Sequence, residues 1–178
     1  MGNFKEDIAR VEAFVFDVDG VMTDGTLSPT PDGDFVRRYY AKDGYAMAYA
    51  IREGYKICII SGGRGDMLRR RMELLGVERM YLNCMDKIAA INEFMSDYKL
   101  NPENVIYMGD DIPDLECMRL VGIPVCPADA CMEVIEASRY VSEFDGGRGA
   151  VRDIIEQVLR AQGNWAKNTK GVLGVPSR

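Results

Sequence analysis

Four short polar runs follow apolar stretches, and each carries groups suited to phosphate or hard-metal chemistry. Asp17-Val18-Asp19-Gly20 follows Ala13-Phe14-Val15-Phe16. Ser61-Gly62-Gly63-Arg64-Gly65 follows Lys56-Ile57-Cys58-Ile59-Ile60, so a hydroxyl and exposed backbone N–H groups make a cradle for an anion. Asp86-Lys87 follows Met80-Tyr81-Leu82, and Gly109-Asp110-Asp111-Ile112-Pro113-Asp114 follows Val105-Ile106-Tyr107-Met108. An Asp-Gly turn accounts for Asp19-Gly20 but not for Asp17, and a helix N-cap absorbs Asp111 but not all three acids of the last run.

The chain holds no histidine. That excludes Ser-His-Asp triads, Cys-His pairs, histidine-ligated metals and phosphohistidine chemistry. Five cysteines without a Cys-x-x-Cys spacing suggest neither a disulfide framework nor a zinc site. Catalysis is left to carboxylates, Lys, Arg, hydroxyls, backbone groups or a hard cation. If Asp17, Asp19, Asp110 and Asp111 converge, each like-charged pair near 4 Å costs about 4 kcal/mol at an effective dielectric of about 20. Several such pairs would threaten a domain whose whole stability is about 5–15 kcal/mol. A cation bound by oxygen alone removes the conflict, and Mg²⁺ suits that ligand set. Lys87 and Ser61 would balance a phosphate's remaining charge.

The elements that must position these groups are legible in outline. The runs at 13–16, 56–60 and 105–108 are continuous and apolar, as buried parallel strands are; Met80-Tyr81-Leu82 is a weaker strand and Gly122-Ile123-Pro124-Val125 a fifth. Helical periodicity lies between them, as in Leu68, Met72 and Leu75 or Ile88, Ile91 and Met95, and is clearest in Val151, Ile154, Ile155, Val158 and Leu159. Pro113 opens a helix carrying Leu115, Met118 and Val121. The alternation predicts an α/β fold, a doubly wound parallel sheet of Rossmann-like type, in which ligands bind beyond the carboxyl ends of the strands. Turn signals at Thr23-Asp24-Gly25 and Pro31-Asp32-Gly33 predict a β-hairpin inserted over about 21–42. The 178 residues suit one domain over 1–163, with a loose tail at 164–178.

Net charge is −6, which disfavours nucleic acid as a partner, and Arg69-Arg70-Arg71 reads as a solvated helix face. No run approaches the roughly 18 apolar residues of a membrane helix. The first residues lack an apolar secretory core, so the expected compartment is the cytoplasm, with no membrane partner.

In order and spacing the four runs resemble the haloacid dehalogenase superfamily of phosphatases over roughly residues 11–126. A closer resemblance, over about 11–162, is to the family of 3-deoxy-D-manno-octulosonate 8-phosphate phosphatases. It is carried by Asp17-Val18-Asp19-Gly20-Val21-Met22-Thr23-Asp24-Gly25, Lys42-Asp43-Gly44 and Gly146-Gly147-Arg148-Gly149-Ala150-Val151-Arg152. The resemblance implies no large cap domain and a homotetramer in which inserted hairpins associate and neighbouring subunits help close each site. It implies hydrolysis of a sugar-acid phosphate in lipopolysaccharide biosynthesis. Asp17 is then the nucleophile that forms an aspartyl-phosphate, and Asp19 the general acid and later base. Mg²⁺ is held by the carboxylates of Asp17 and Asp110 and the backbone carbonyl of Asp19, with Asp111 and Asp114 supporting the metal shell and Lys87. Ser61, Gly62 and Lys87 hold the phosphoryl group, and Arg64 and Arg148 are candidates for substrate contact.

Two positions depart from the family pattern. Ser61-Gly62-Gly63-Arg64 stands where Thr-Gly-Arg is common, and Asp129-Ala130-Cys131 replaces Asp-Ala-His. The same motifs would serve a phosphatase of a nine-carbon sialic-acid-type 9-phosphate. A phospho-accepting receiver domain, the reading from a different class, carries its acceptor Asp after the third strand; here that place is Asn83.

Overall fold

The computed structural model describes residues 3–167. A helical turn, α1 (Phe4–Asp7), precedes the first strand, β1 (Ala13–Phe16). A small hairpin of β2 (Ser28–Pro29) and β3 (Phe35–Val36) comes next. Then follow α2 (Ala41–Arg52), β4 (Lys56–Ile60), α3 (Asp66–Leu74), β5 (Arg79–Tyr81), α4 (Lys87–Asp97) and β6 (Val105–Met108). A 3₁₀ turn (Ile112–Asp114) leads into α5 (Leu115–Met118), and β7 (Ile123–Cys126), α6 (Met132–Ala137), β8 (Tyr140–Val141) and α7 (Ala150–Ala161) complete the chain.

Six strands form one parallel sheet in the order β5-β4-β1-β6-β7-β8. Its sides alternate as the pleat demands. Phe14, Phe16, Ile57, Ile59, Ile106 and Met108 pack under α2, α3 and α7. Ala13, Val15, Cys58, Ile60, Val105 and Tyr107 pack under α4, α5 and α6. A central strand covered on both faces must be apolar at every position, and each residue of β1 is fully buried. The chain runs from β1 outward through β4 and β5, then returns to β6 on the other side. β1 is therefore the switch point, and the crevice at such a point lies beyond its carboxyl end, where Asp17 stands.

The expected doubly wound sheet is present, and no large cap accompanies it among the described residues. Several details differ from expectation. The hairpin ladder pairs only Ser28 with Val36 and Pro29 with Phe35, and Arg37–Tyr40 lead straight into α2 instead of extending the strand. With both faces largely exposed, the ribbon has too little apolar surface to support a longer ladder. β8 and α6 were not anticipated; both are short. The helix after Pro113 is a 3₁₀ turn followed by one turn of α-helix, so Val121 lies past its end. The stretch expected to be loose from 164 begins packed: the Trp165 ring lies 5.1 Å from that of Tyr49, and the Asn164 amide donates to the Tyr55 hydroxyl at 3.1 Å. The remainder of that tail, 168–178, lies outside the described residues. Among the described residues, no helix is long and apolar enough to cross a membrane.

Candidate active site

The four polar runs meet beyond the carboxyl ends of β1, β4, β5 and β6, around a cavity of 520 Å³. Asp17, Asp19, Arg37, Ser61, Lys87 and Asp110 line it, together with Arg64, Asn83 and Asp111. The backbone N–H of Asp17 donates to the Met108 carbonyl at 3.1 Å, continuing the parallel pairing of β1 with β6 and fixing Asp17 beside the β6 loop. Asp110 approaches from that loop over Gly20; a β-carbon at 20 would lie 2.0 Å from its Oδ2.

Lys87 is delivered by the start of α4, where the Asp86 carboxylate accepts from the Ala89 N–H at 2.9 Å and caps the helix. Its Nζ lies 2.7 Å from Asp114 Oδ1 and 3.3 Å from Asp17 Oδ1. Burial works against the Lys87 charge, but Asp17 and Asp114 outweigh it and hold its pKa above the usual lysine value.

Asp114 is 1% exposed and organises the wall behind the cavity. Besides Lys87, it accepts from the Tyr107 hydroxyl at 2.7 Å and from the backbone N–H of Asp110 at 3.1 Å. Burial, and then the neighbouring Asp114 charge, push the Tyr107 phenol well above its usual value, so it stays a donor. Asp111 turns its carboxylate to the Ile112 N–H at 2.8 Å and completes a capping box with Asp114.

Ser61 is buried at the end of β4, and its Oγ accepts from the Gly63 N–H at 3.0 Å. A hydroxyl that accepts in this way keeps its proton for donation. Asp19 is held by a residue that sequence reasoning missed: Arg37 Nε donates to Asp19 Oδ1 at 2.7 Å and Arg37 Nη2 to Oδ2 at 3.0 Å. The available signal was alternation in the 35–40 run, which the structure keeps as a strand only at Phe35–Val36, with Arg37 one residue beyond its end. Arg64 lines the cavity, but Arg148 does not. It pairs with Asp24 at 3.4 Å and borders a separate 370 Å³ cavity with Tyr40, Lys42 and Arg152.

The charges do not balance. Lys87 answers Asp114 and Arg37 answers Asp19, while Asp17 shares Lys87 at longer range and Asp110 gains little from it. The two under-compensated acids are those driven furthest. Burial and then the Asp114 charge raise Asp17 to about 7, against the pull of Lys87. Burial and then the charges of Asp17, Asp114 and Asp111 raise Asp110 to about 7. Oxygens of Asp17, Asp110 and Asp114 lie within 4.8 Å of one another. An all-carboxylate set short of positive charge fits a hard divalent cation. Asp114 already accepts from Lys87, Tyr107 and backbone, which leaves Asp17 and Asp110 as the carboxylates free to ligate.

The replacement at 131 does not disturb this wall. The Cys131 backbone N–H donates to the Asp110 carbonyl at 2.9 Å, a bond that needs no particular side chain. Asp129 accepts from the Gly146 N–H at 2.8 Å, and the Gly147 N–H donates to the Val21 carbonyl at 2.9 Å, so the Gly146–Gly149 loop is tied to the loop after β1.

Residues 80–155 match the family model of haloacid dehalogenase-like hydrolases. The chain is 35% identical over 154 residues to the 3-deoxy-D-manno-octulosonate 8-phosphate phosphatase KdsC of Yersinia pestis, covering 86% of this chain and 82% of that one. It is 33% identical over 154 residues to KdsC of Escherichia coli K12, with the same coverage. The crystal structure of 3-deoxy-D-manno-octulosonate 8-phosphate phosphatase from Moraxella catarrhalis, in complex with magnesium ion, phosphate ion and KDO, superposes with a TM-score of 0.85 at 29% identity, over 90% of this chain and 92% of that one. The fold, the four-strand acidic crevice and these similarities agree: the chain belongs to the 3-deoxy-D-manno-octulosonate 8-phosphate phosphatase family of haloacid dehalogenase-like hydrolases.

Proposed function

We propose that this enzyme hydrolyses 3-deoxy-D-manno-octulosonate 8-phosphate to the free sugar acid and phosphate, with Mg²⁺, as a step of lipopolysaccharide biosynthesis. The observation that carries the reading is the pair of under-compensated carboxylates, Asp17 and Asp110, beside a lysine and an anion cradle. Asp17, Asp110 and the backbone carbonyl of Asp19 would hold Mg²⁺. When bound, the ion supplies the charge that lets Asp17 and Asp110 stay ionised and draws a phosphate to them.

Asp17 attacks phosphorus and forms an aspartyl-phosphate as the ester oxygen leaves. Asp19 gives that oxygen a proton, then takes one from the water that hydrolyses the intermediate. Lys87, the Ser61 hydroxyl and the Gly62 N–H hold the phosphoryl oxygens, in a reaction that is mostly positioning and charge stabilisation. Asp114 holds Lys87, and Asp111 shapes the loop that carries Asp110. Arg64, which lines the cavity, would contact the substrate. Arg148 would reach a substrate only across a subunit boundary, in keeping with a homotetramer in which hairpins associate and neighbours close each site. The compartment is the cytoplasm, and the net charge of −6 argues against nucleic-acid partners.

Phosphate release from eight- and nine-carbon sugar-acid phosphates, with Mg²⁺ and with chelator, tests the reading. It predicts Mg²⁺-dependent turnover with the higher kcat/KM on the eight-carbon substrate. A preference for the sialic-acid-type 9-phosphate would reassign the substrate, and no turnover on any sugar phosphate would overturn the reading.

A further inference from the structure

Asp19 and Arg37 are joined as a fork, two N–H groups to two oxygens, at 2.7 and 3.0 Å. Such a pair fixes a carboxylate in orientation as well as in charge. The Arg37 side chain is 3% exposed, so this is not the solvated surface pairing that contributes little. Arg37 comes from the hairpin, 18 positions beyond Asp19, and its Nη1 also reaches the Arg64 carbonyl at 3.5 Å.

Gly63 lies against the same pair. A β-carbon there would lie 2.7 Å from Arg37 Nη2, 3.1 Å from Asp19 Oδ2 and 3.1 Å from Ser61 Oγ. The Gly63 backbone is not in the left-handed region, so the chain path itself does not call for glycine. What calls for it is the room taken by the Arg37–Asp19 pair. The hairpin and the β4 loop are thus fitted to each other around one ion pair.

We propose that Arg37 is the positioning residue of Asp19: reaching in from the hairpin of the same chain, it sets the Asp19 carboxylate where the ester oxygen leaves, and Gly63 is bare to admit it. The inference rests on the reading of Asp19 as the proton carrier. Asp17 shares Lys87 with Asp114, at 3.3 and 2.7 Å, whereas Asp19 has the Arg37 fork to itself; the two cations are delivered by different elements. A hydrogen-bonded proton carrier must be held within a few tenths of an ångström of its target, and a carboxylate on a loop has no other fixed donor here among the described residues.

The test uses two substrates. A sugar-acid phosphate has an alkoxide leaving group that needs a proton, whereas p-nitrophenyl phosphate leaves as a stable phenolate. In Arg37→Met, kcat/KM on the sugar-acid phosphate is expected to fall about 100-fold, the loss lying in kcat with KM within about threefold. On p-nitrophenyl phosphate it should fall less than about threefold. Arg37→Lys should recover part of the loss, because a point charge cannot fork. In Gly63→Ala the added β-carbon would meet the flexible end of Arg37 first, and Asp19 Oδ2 and Ser61 Oγ at 3.1 Å; its nearest neighbours are all side chains, so it should fold. Its loss is expected to be larger on the sugar-acid phosphate than on p-nitrophenyl phosphate, and the double variant to lose less than the two losses combined.

Equal losses of kcat/KM on both substrates, a rise in KM at unchanged kcat on the sugar-acid phosphate, or additive losses in the double variant would each overturn the assignment. Asp17→Asn separates the two levels. If Asp17→Asn is inactive while Arg37→Met works normally on both substrates, the positioning role fails and the phosphatase reading stands. If Asp17→Asn is fully active, the phosphatase reading itself fails.

Discussion

The carboxylate of Asp110 fills the space that a side chain at Gly20 would need: a β-carbon at 20 would sit 2.0 Å from Asp110 Oδ2 and 2.4 Å from its Cγ. Gly20 also has φ +92°, a region that L side chains rarely adopt. Gly20→Ala should therefore push Asp110 away from Asp17 and strain the turn, at a cost on the order of 1–3 kcal/mol. Mg²⁺ affinity by calorimetry is expected to fall at least about tenfold, a loss of roughly 1.4 kcal/mol or more. Unchanged affinity would show that Asp110 is not held by this contact.

Metal binding should release protons. Asp17 and Asp110, both pushed up to about 7, are on average half protonated at neutral pH without metal, while the ligating forms are ionised. Binding at pH 7 is expected to release about one proton from the coupled pair. Because the protonated forms dominate below pH 7, apparent Mg²⁺ affinity rises as pH rises through that value. Calorimetry in two buffers of different ionisation enthalpy measures the proton count, and Asp110→Asn should reduce it. A count near zero at pH 7 would contradict the charge imbalance.

The Lys42-Asp43-Gly44 run finds its reason away from the cavity. Asp43 is buried in the first turn of α2, where its Oδ1 accepts from the Arg152 N–H in the first turn of α7 at 2.8 Å and its Oδ2 has no hydrogen-bond partner among the described residues. Burial, opposed by the Arg152 and Gly149 N–H groups, raises Asp43 to about 6. The folded state then holds this proton more tightly than the unfolded chain, so the contribution is present below about pH 4 and is lost as pH rises through about 6. Replacing Asp43 with Asn removes the charge. Thermal melts should show Asp43→Asn gaining on the parent by on the order of 2 kcal/mol between pH 4 and pH 7. A pH-independent difference would contradict this assignment.

What the sequence disclosed and withheld follows from where each residue lies. Asp17, Ser61 and Asp110 were legible because a buried parallel strand admits no polar residue, so the polar run that follows marks the crevice, whereas Lys87, opening α4 beyond the half-buried β5, was legible only in company with them. Arg37 was not legible, because it lies just past a two-residue strand of an exposed ribbon and meets Asp19 only in three dimensions. Arg148 was drawn into the site by motif, yet within this chain it pairs with Asp24 outside the cavity. Gly63, which read as a departure from the family pattern, is explained by the same Arg37 side chain. β8 escaped notice since two residues, Tyr140 and Val141, carry no periodicity.

The central claim is that Asp17 becomes phosphorylated during turnover. Quenching the enzyme with its sugar-acid phosphate and Mg²⁺, reducing any acyl phosphate with borohydride and sequencing by mass spectrometry tests it directly. The account predicts homoserine at position 17, absent when Mg²⁺ is chelated. Modification at a different carboxylate, or none at any position while phosphate is still released, would contradict it.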